Sequence, residues 1–188
     1  LATKGNLNND IGLPSTVLQL RERHEIAVFE MGASAAGEIE YLASVAAPQV
    51  GIVTNAAAAH LEGFGSLAGV ANAKGELFSA LPEHGIAVLN RDDAFYDCWR
   101  ERCGHVAQLS FGQSNAADFF ATKIEEDPDA PELRFELHSP LGDAPLSLPM
   151  AGRHNVLNAL AAAAASVSLG ADLDAVAQGL RSMANVGG

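Results

Sequence analysis

Three short apolar runs constrain this chain more than any other feature: "HEIAVFEMG" near residue 28, "PQVGIVTNA" near residue 52 and "HGIAVLNRDD" near residue 88. Each is a short apolar run of strand composition bounded by charge, Pro or Gly, as buried strands usually are. Helical stretches separate them. Residues 37 to 46 carry Ile39, Leu42, Ala43 and Ala46 at helical spacing, and residues 66 to 81 run from a Ser66 cap through Leu67, Val70, Ala71, Leu77 and Leu81. This order predicts an α/β fold built on a mainly parallel sheet with right-handed crossovers and flanking helices. A helix at about 92 to 102 and a strand at about 105 to 111 extend the pattern.

From Ala116 to Pro149 the texture changes to alternation, as in "ATKIEE" and "LRFELHSP", with Pro128, Pro131, Pro140, Pro145 and Pro149 as punctuation. The stretch from 113 to 149 reads as a small antiparallel β lobe. Beyond it, "GRHNVLNALAAAAASVSLG" is an Ala/Leu helix closed by Gly170, and "DLDAVAQGLRSM" is a second helix capped by Asp172.

With 188 residues, 48% of them apolar, the chain has enough material for one sizeable core. Eleven Lys and Arg against 23 Asp and Glu leave a net charge of −12, a field that repels a phosphate backbone, so no nucleic-acid partner is expected. A small phosphorylated ligand escapes that objection, because backbone N–H groups and a metal ion override net charge locally. No apolar run approaches the roughly 18 residues of a membrane span, and the start lacks a secretory signal, so no membrane partner and a cytoplasmic location are expected. Cys98 and Cys103 sit five apart, which turns them about 140° from each other on a helix and fits no zinc or redox spacing. They read as structural thiols. Leu1 is not an initiator Met and "SMANVGG" has no tail-like composition, so both ends look cut.

In an open parallel sheet, ligands gather outside the carboxyl ends of the strands. Glu30 ends the first run, Thr54 and Asn55 the second, and Asn90 the third. Glu30, followed by Met31 and Gly32, stands where an acid can hold Mg²⁺ through oxygen while Gly32 lets a ligand approach the backbone. His60 lies in "AAAAHLEGFGS", whose small residues leave space for a metal or a phosphate. Lys74 lies mid-helix in "NAKGELF". Asn155 and Asn158, three apart at a helix start, share a face on which an amide can pair with an adenine edge. Each residue also has a plainer reading: a polar strand end for Glu30, Thr54, Asn55 and Asn90, an exposed loop histidine, a solvated helix lysine, and a helix cap for Asn155, Asp92 and Asp93.

Taken in order, "TKGNLNNDIGLPSTVLQL", "AVFEMGASAAGEIEYLASVAAPQVGIVTN", "AHLEGFGSLAGVANAKGELF", "LNRDD" and "GRHNVLNALAA" resemble the central ATPase domain of the Mur ligases. Among these the chain is most similar to the type that joins D-alanyl-D-alanine to UDP-N-acetylmuramoyl-tripeptide. The likeness runs from Thr3 to about Gly170 and is weakest over residues 113 to 149.

What the resemblance implies attaches to particular positions. Glu30 and His60 would hold two Mg²⁺ ions near the transferred phosphate of ATP. Lys74 matches a lysine that is carbamylated in the family, which turns its charge from +1 to −1 for placing metal. Asn158, Asn155 and the adjoining His154 would meet the adenine. Asn6, with Asn8 and Asn9, and the strand end Thr54 and Asn55 would face substrate and metal. The implied reaction belongs to peptidoglycan precursor synthesis: ATP phosphorylates the tripeptide carboxylate, and the amine of D-alanyl-D-alanine attacks the acyl phosphate. Charge on that phosphoryl group is the physical reason for two metals.

The departures from the family pattern are equally specific. No G-x-x-x-x-G-K-[ST] phosphate loop occurs in the chain, and neither the UDP-binding N-terminal domain nor the C-terminal domain is represented. The chain is therefore expected to be one partial domain, catalytically silent alone. Rival readings are a ligase of the same superfamily acting on another amino acid or on folylpolyglutamate, and a non-catalytic binding module of the same fold.

Overall fold

A computed structural model describes residues 1–58 and 61–183. The elements run α1 (Gly12–Val17), α2 (Glu38–Ala46), β1 (Val50–Val53), α3 (Leu61–Phe64), α4 (Leu67–Ser79), β2 (Ile86–Asn90), α5 (Tyr96–Arg102), β3 (Ala107–Gly112), β4 (Phe119–Glu126), β5 (Leu133–Ser139), β6 (Gly142–Leu148), α6 (His154–Ser168) and α7 (Leu173–Arg181). The six strands form one sheet in sequence order. From β1 to β4 neighbouring strands are parallel, and β4, β5 and β6 are antiparallel. The expected antiparallel lobe is therefore present, but it continues the main sheet rather than standing apart from it.

Both faces of the sheet are covered, and the side-chain period of two assigns the residues of β2 between them. Ala87 and Leu89 point into a core made with α2, α4 and α5 around Phe78 and Trp99, while Val88 points into a second core with α6, α7 and the lobe. Trp99 is fully buried and donates its indole N–H to the Ala71 carbonyl at 2.8 Å, so the heaviest side chain of the first core leaves no polar atom unpaired. α6 lies against the second face through Val156 and Leu160 together with Ala159, Ala161, Ala163 and Ala164, all buried, the small alanines letting the helix come close to the strands.

Helix ends follow the local chemistry. Ser66 caps α4 by accepting from Gly69 N at 3.1 Å, Asp172 caps α7 by accepting from Ala175 N at 2.8 Å, and Gly170 closes α6 with φ +95. α5 begins at Tyr96 rather than at 92, because Asn90 and Asp93 use their side chains to bond the backbone N–H groups of Asp92 and Phe95, which holds that stretch as a turn.

The first apolar run departs from expectation. Residues 26 to 30 form no strand of the sheet; the run makes a single parallel bridge, Ala2 with Val28, and Ile26 and Val28 are exposed. Its backbone is paired on one side only, by Thr3 N to Val28 O at 3.0 Å and Val28 N to Leu1 O at 2.8 Å. A run of strand composition becomes a sheet strand when a ladder forms, and here the ladder is one residue long.

The register between β3 and β4 is short as well. Only Phe111 with Phe119 and Gly112 with Phe120 are paired, so β4 starts beside the end of β3 and carries the lobe past the carboxyl rim. Asp118 pins this seam, accepting from Ser110 N at 2.8 Å and Ser110 Oγ at 2.6 Å. At the far end of β4, Glu126 accepts from Gly152 N at 2.7 Å, which ties the lobe to the start of α6. Among the described residues no helix is long and apolar enough to cross a membrane.

Candidate nucleotide and metal site

The carboxyl end of β1 runs into the loop Thr54–Asn55–Ala56, and three elements grip its backbone. Asn90, at the end of β2 and 5% exposed, donates its amide to the Thr54 carbonyl at 2.7 Å. Lys74, from α4, donates its ammonium to the Asn55 carbonyl at 2.7 Å. Asp93 accepts from Ala56 N at 2.7 Å. Lys74 is thus no solvated helix lysine: partial burial pushes its ammonium below the ordinary lysine range, and the Asp93 carboxylate opposes that shift.

Glu30 stands in a second group. Asn8 donates its side-chain amide to Glu30 Oε1 at 2.7 Å, Thr3 Oγ1 accepts from Glu30 N at 3.0 Å, and Asn8 O accepts from Gly32 N at 2.8 Å. One carboxylate oxygen is oriented by the amide, and the other makes no hydrogen bond among the described residues. The space beside Gly32, expected to admit a ligand, is taken by Asn8: a Cβ there would lie 2.9 Å from the Asn8 side chain. Asn9 is turned elsewhere, its Oδ1 accepting from Ile11 N at 3.2 Å and Gly12 N at 2.8 Å at the start of α1. Asn6 is exposed on the turn at Gly5.

The third group lies at the first turn of α6. Asn155 donates to the Ala151 carbonyl at 2.8 Å and accepts from Asn158 Nδ2 at 3.3 Å, which leaves Asn158 Oδ1 without a partner among the described residues. The His154 ring folds over Gly152, where a Cβ would stand 2.6 Å from the imidazole, and the φ of +94 at this position favours glycine. His60 lies outside the described residues.

The structure thus brings Thr54, Asn55 and Lys74 together and joins Asn8 to Glu30. No hydrogen bond or salt bridge among the described residues links these two groups to each other or to Asn155 and Asn158. Asn90, already a rim candidate by pattern, grips the Thr54 carbonyl, and Asp93, a plain helix cap by pattern, is the neighbour of this loop that pattern reading missed; "LNRDD" right after an apolar run was the available signal. Among the described residues no three His, Cys, Asp or Glu gather as a metal cluster. The donor chemistry nevertheless fits Mg²⁺, which takes one or two carboxylates together with phosphate and water rather than an all-protein cage.

Comparison with known proteins gives this arrangement its relatives. The sequence model described as the Mur ligase middle domain matches residues 1–166. The chain belongs to the Mur ligase family. It is 49% identical over its full length to the UDP-N-acetylmuramoyl-tripeptide--D-alanyl-D-alanine ligase of Escherichia coli K12, of which it spans 41%. A crystal structure of MurF from Acinetobacter baumannii superposes with a TM-score of 0.94 at 39% identity, covering 98% of this chain and 40% of that one. MurF from Thermotoga maritima, solved in complex with ADP, gives a TM-score of 0.83 at 28% identity and covers 99% of this chain and 42% of that one. The Mur ligase central-domain fold and the MurF-type resemblance both stand on these matches, and the chain spans about two fifths of the relatives' length.

Proposed function

We propose that this chain is the middle, ATP-binding domain of a MurF-type ligase that joins D-alanyl-D-alanine to UDP-N-acetylmuramoyl-tripeptide. The flanking UDP-binding and C-terminal domains belong to residues outside these 188. The carrying observation is that 49% identity to a ligase of that name coincides with a partly buried Lys74 seated on Asn55 and a Glu30 carboxylate oriented by Asn8. The reaction transfers the γ-phosphoryl of ATP to the tripeptide carboxylate, releasing ADP. The dipeptide amine then attacks the acyl carbon, the new C–N bond forms, inorganic phosphate departs and the amine loses a proton.

On this reading Glu30, His60 and Lys74 would hold Mg²⁺, which would supply positive charge against the phosphoryl group being transferred. Lys74 serves as a carbamate: its neutral amine adds CO₂, an N–C bond forms and a proton leaves to water. Burial favours the neutral amine this step needs, and the N–H that remains keeps the bond to the Asn55 carbonyl. At the other end of the site, Asn158 Oδ1 is the unspent acceptor for the adenine amino group, with Asn155 bracing Asn158 and His154 beside them. Asn6 faces the substrate side.

Titration calorimetry with Mg-ATP tests the assignment. Glu30→Ala and His60→Ala are each expected to weaken binding by about tenfold relative to the unmodified chain. Equal affinity in all three overturns the metal assignment.

A further inference from the structure

We infer that Asn90 and Asp93 are positioning residues of this site: together they hold the backbone that seats Lys74 and leads to His60. The inference rests on the ligase reading above. Its basis is the composition of the loop itself. After Asn55 the chain reads Ala56-Ala57-Ala58-Ala59 before His60, and alanine offers no side chain with which a loop can anchor itself. Beyond Val53, paired with Leu89, the ladder between β1 and β2 also ends, so no strand neighbour holds the loop.

Anchoring therefore comes from outside, and at three consecutive residues. Asn90 takes the Thr54 carbonyl, Lys74 the Asn55 carbonyl and Asp93 the Ala56 N–H. Asn90 and Asp93 are themselves fixed, because Asn90 Oδ1 accepts from Asp92 N at 2.9 Å and Asp93 Oδ1 from Phe95 N at 2.9 Å. Each side chain so binds its own turn with one atom and the loop with the other. The Asn55 carbonyl that receives Lys74 lies between the two clamped residues, so its direction is set on both sides. Loss of a partner that orients a metal ligand typically weakens metal binding about 10- to 100-fold.

Asp93→Asn is the sharper probe. A carboxamide has one oxygen where the carboxylate has two, so either Ala56 N or Phe95 N loses its acceptor and an NH₂ group faces an N–H. Asn90→Asp keeps the bond to Asp92 N and turns an oxygen against the Thr54 carbonyl. Asp118→Asn is the control, since Asp118 grips Ser110 at the β3 to β4 seam through a similar pair of bonds away from Lys74. In the intact ligase, Asp93→Asn and Asn90→Asp are expected to raise the Mg²⁺ concentration for half-maximal rate and the Mg-ATP dissociation constant about tenfold, with the KM for the dipeptide within about twofold. Asp118→Asn is expected to lower the melting temperature and leave both metal readouts unchanged. If Asp93→Asn behaves as Asp118→Asn does, the clamp is structural and the inference falls. A protein that binds Mg-ATP yet joins no dipeptide overturns the ligase reading, while the binding comparison among the variants still decides the clamp. A wild type that binds no Mg-ATP overturns both.

Discussion

Residues 26–28 and 86–88 spell the same tripeptide, Ile-Ala-Val, and the structure treats them oppositely. Val88 is completely buried in the middle of β2, with β1 on one side and β3 on the other. Val28 is 62% exposed and pairs with Ala2 alone. The same apolar sequence becomes core or surface according to whether neighbours complete its hydrogen bonding on both edges and cover both its faces. Strand composition is a willingness to be buried, and partners supply the burial.

The largest expected consequence of this difference is in stability. Val88→Ala should cost roughly 2 kcal/mol, from the transfer free energy of the lost methyl groups and the cavity they leave, whereas Val28→Ala should stay within about 0.5 kcal/mol. Urea denaturation of both variants measures it, and equal costs would break the comparison. A second prediction concerns what orders the exposed segment in place of burial. Gly32→Ala pushes a methyl group against the Asn8 amide, and should cost about 1 kcal/mol while weakening Mg-ATP binding, because Asn8 orients Glu30. Unchanged affinity on calorimetry would show that Glu30 does not depend on that amide.

A third effect, confined to alkaline pH, sharpens the contrast between buried and exposed positions through the two thiols. Cys103 is fully buried, and burial pushes its thiol up to about 11; Cys98 is exposed. The unfolded chain releases this proton from about pH 9 upward while the folded one keeps it, so folding stability should fall as pH rises from about 9 toward 11. Cys103→Ala should flatten that slope in thermal melts, and an unchanged slope would assign it to other groups.

Much of the scaffold was legible because its signals are local. Ser66 and Asp172 cap where their side chains can reach, Gly170 closes α6, and the apolar runs at 50–53 and 86–90 are strands. The first run misled because periodicity reports the side chains and is silent about neighbours. For the site, residue types were readable and bonding partners were not. Lys74 on a helix gives no hint that its ammonium reaches a carbonyl 19 residues earlier in the chain. Asn9, grouped with Asn6 and Asn8, turns to α1 because Gly12 N lies three residues on, within reach of a short side chain. The pairing of Asn90 with Thr54 depends on which strands are adjacent, a property of topology.

The alanines of α6 carry a further meaning. The helix packs on the sheet through four alanine methyl groups set around Val156 and Leu160, and its first turn holds the amides proposed to meet adenine. Ala159, Ala161, Ala163 and Ala164 therefore let Val156 and Leu160 sink between them, and the height of Asn155 and Asn158 above the strands is a dimension cut by side-chain size. Bulk added at any of these four positions would tilt the far end of the lever, so the fit of a ligand at one end of α6 is machined along its buried length.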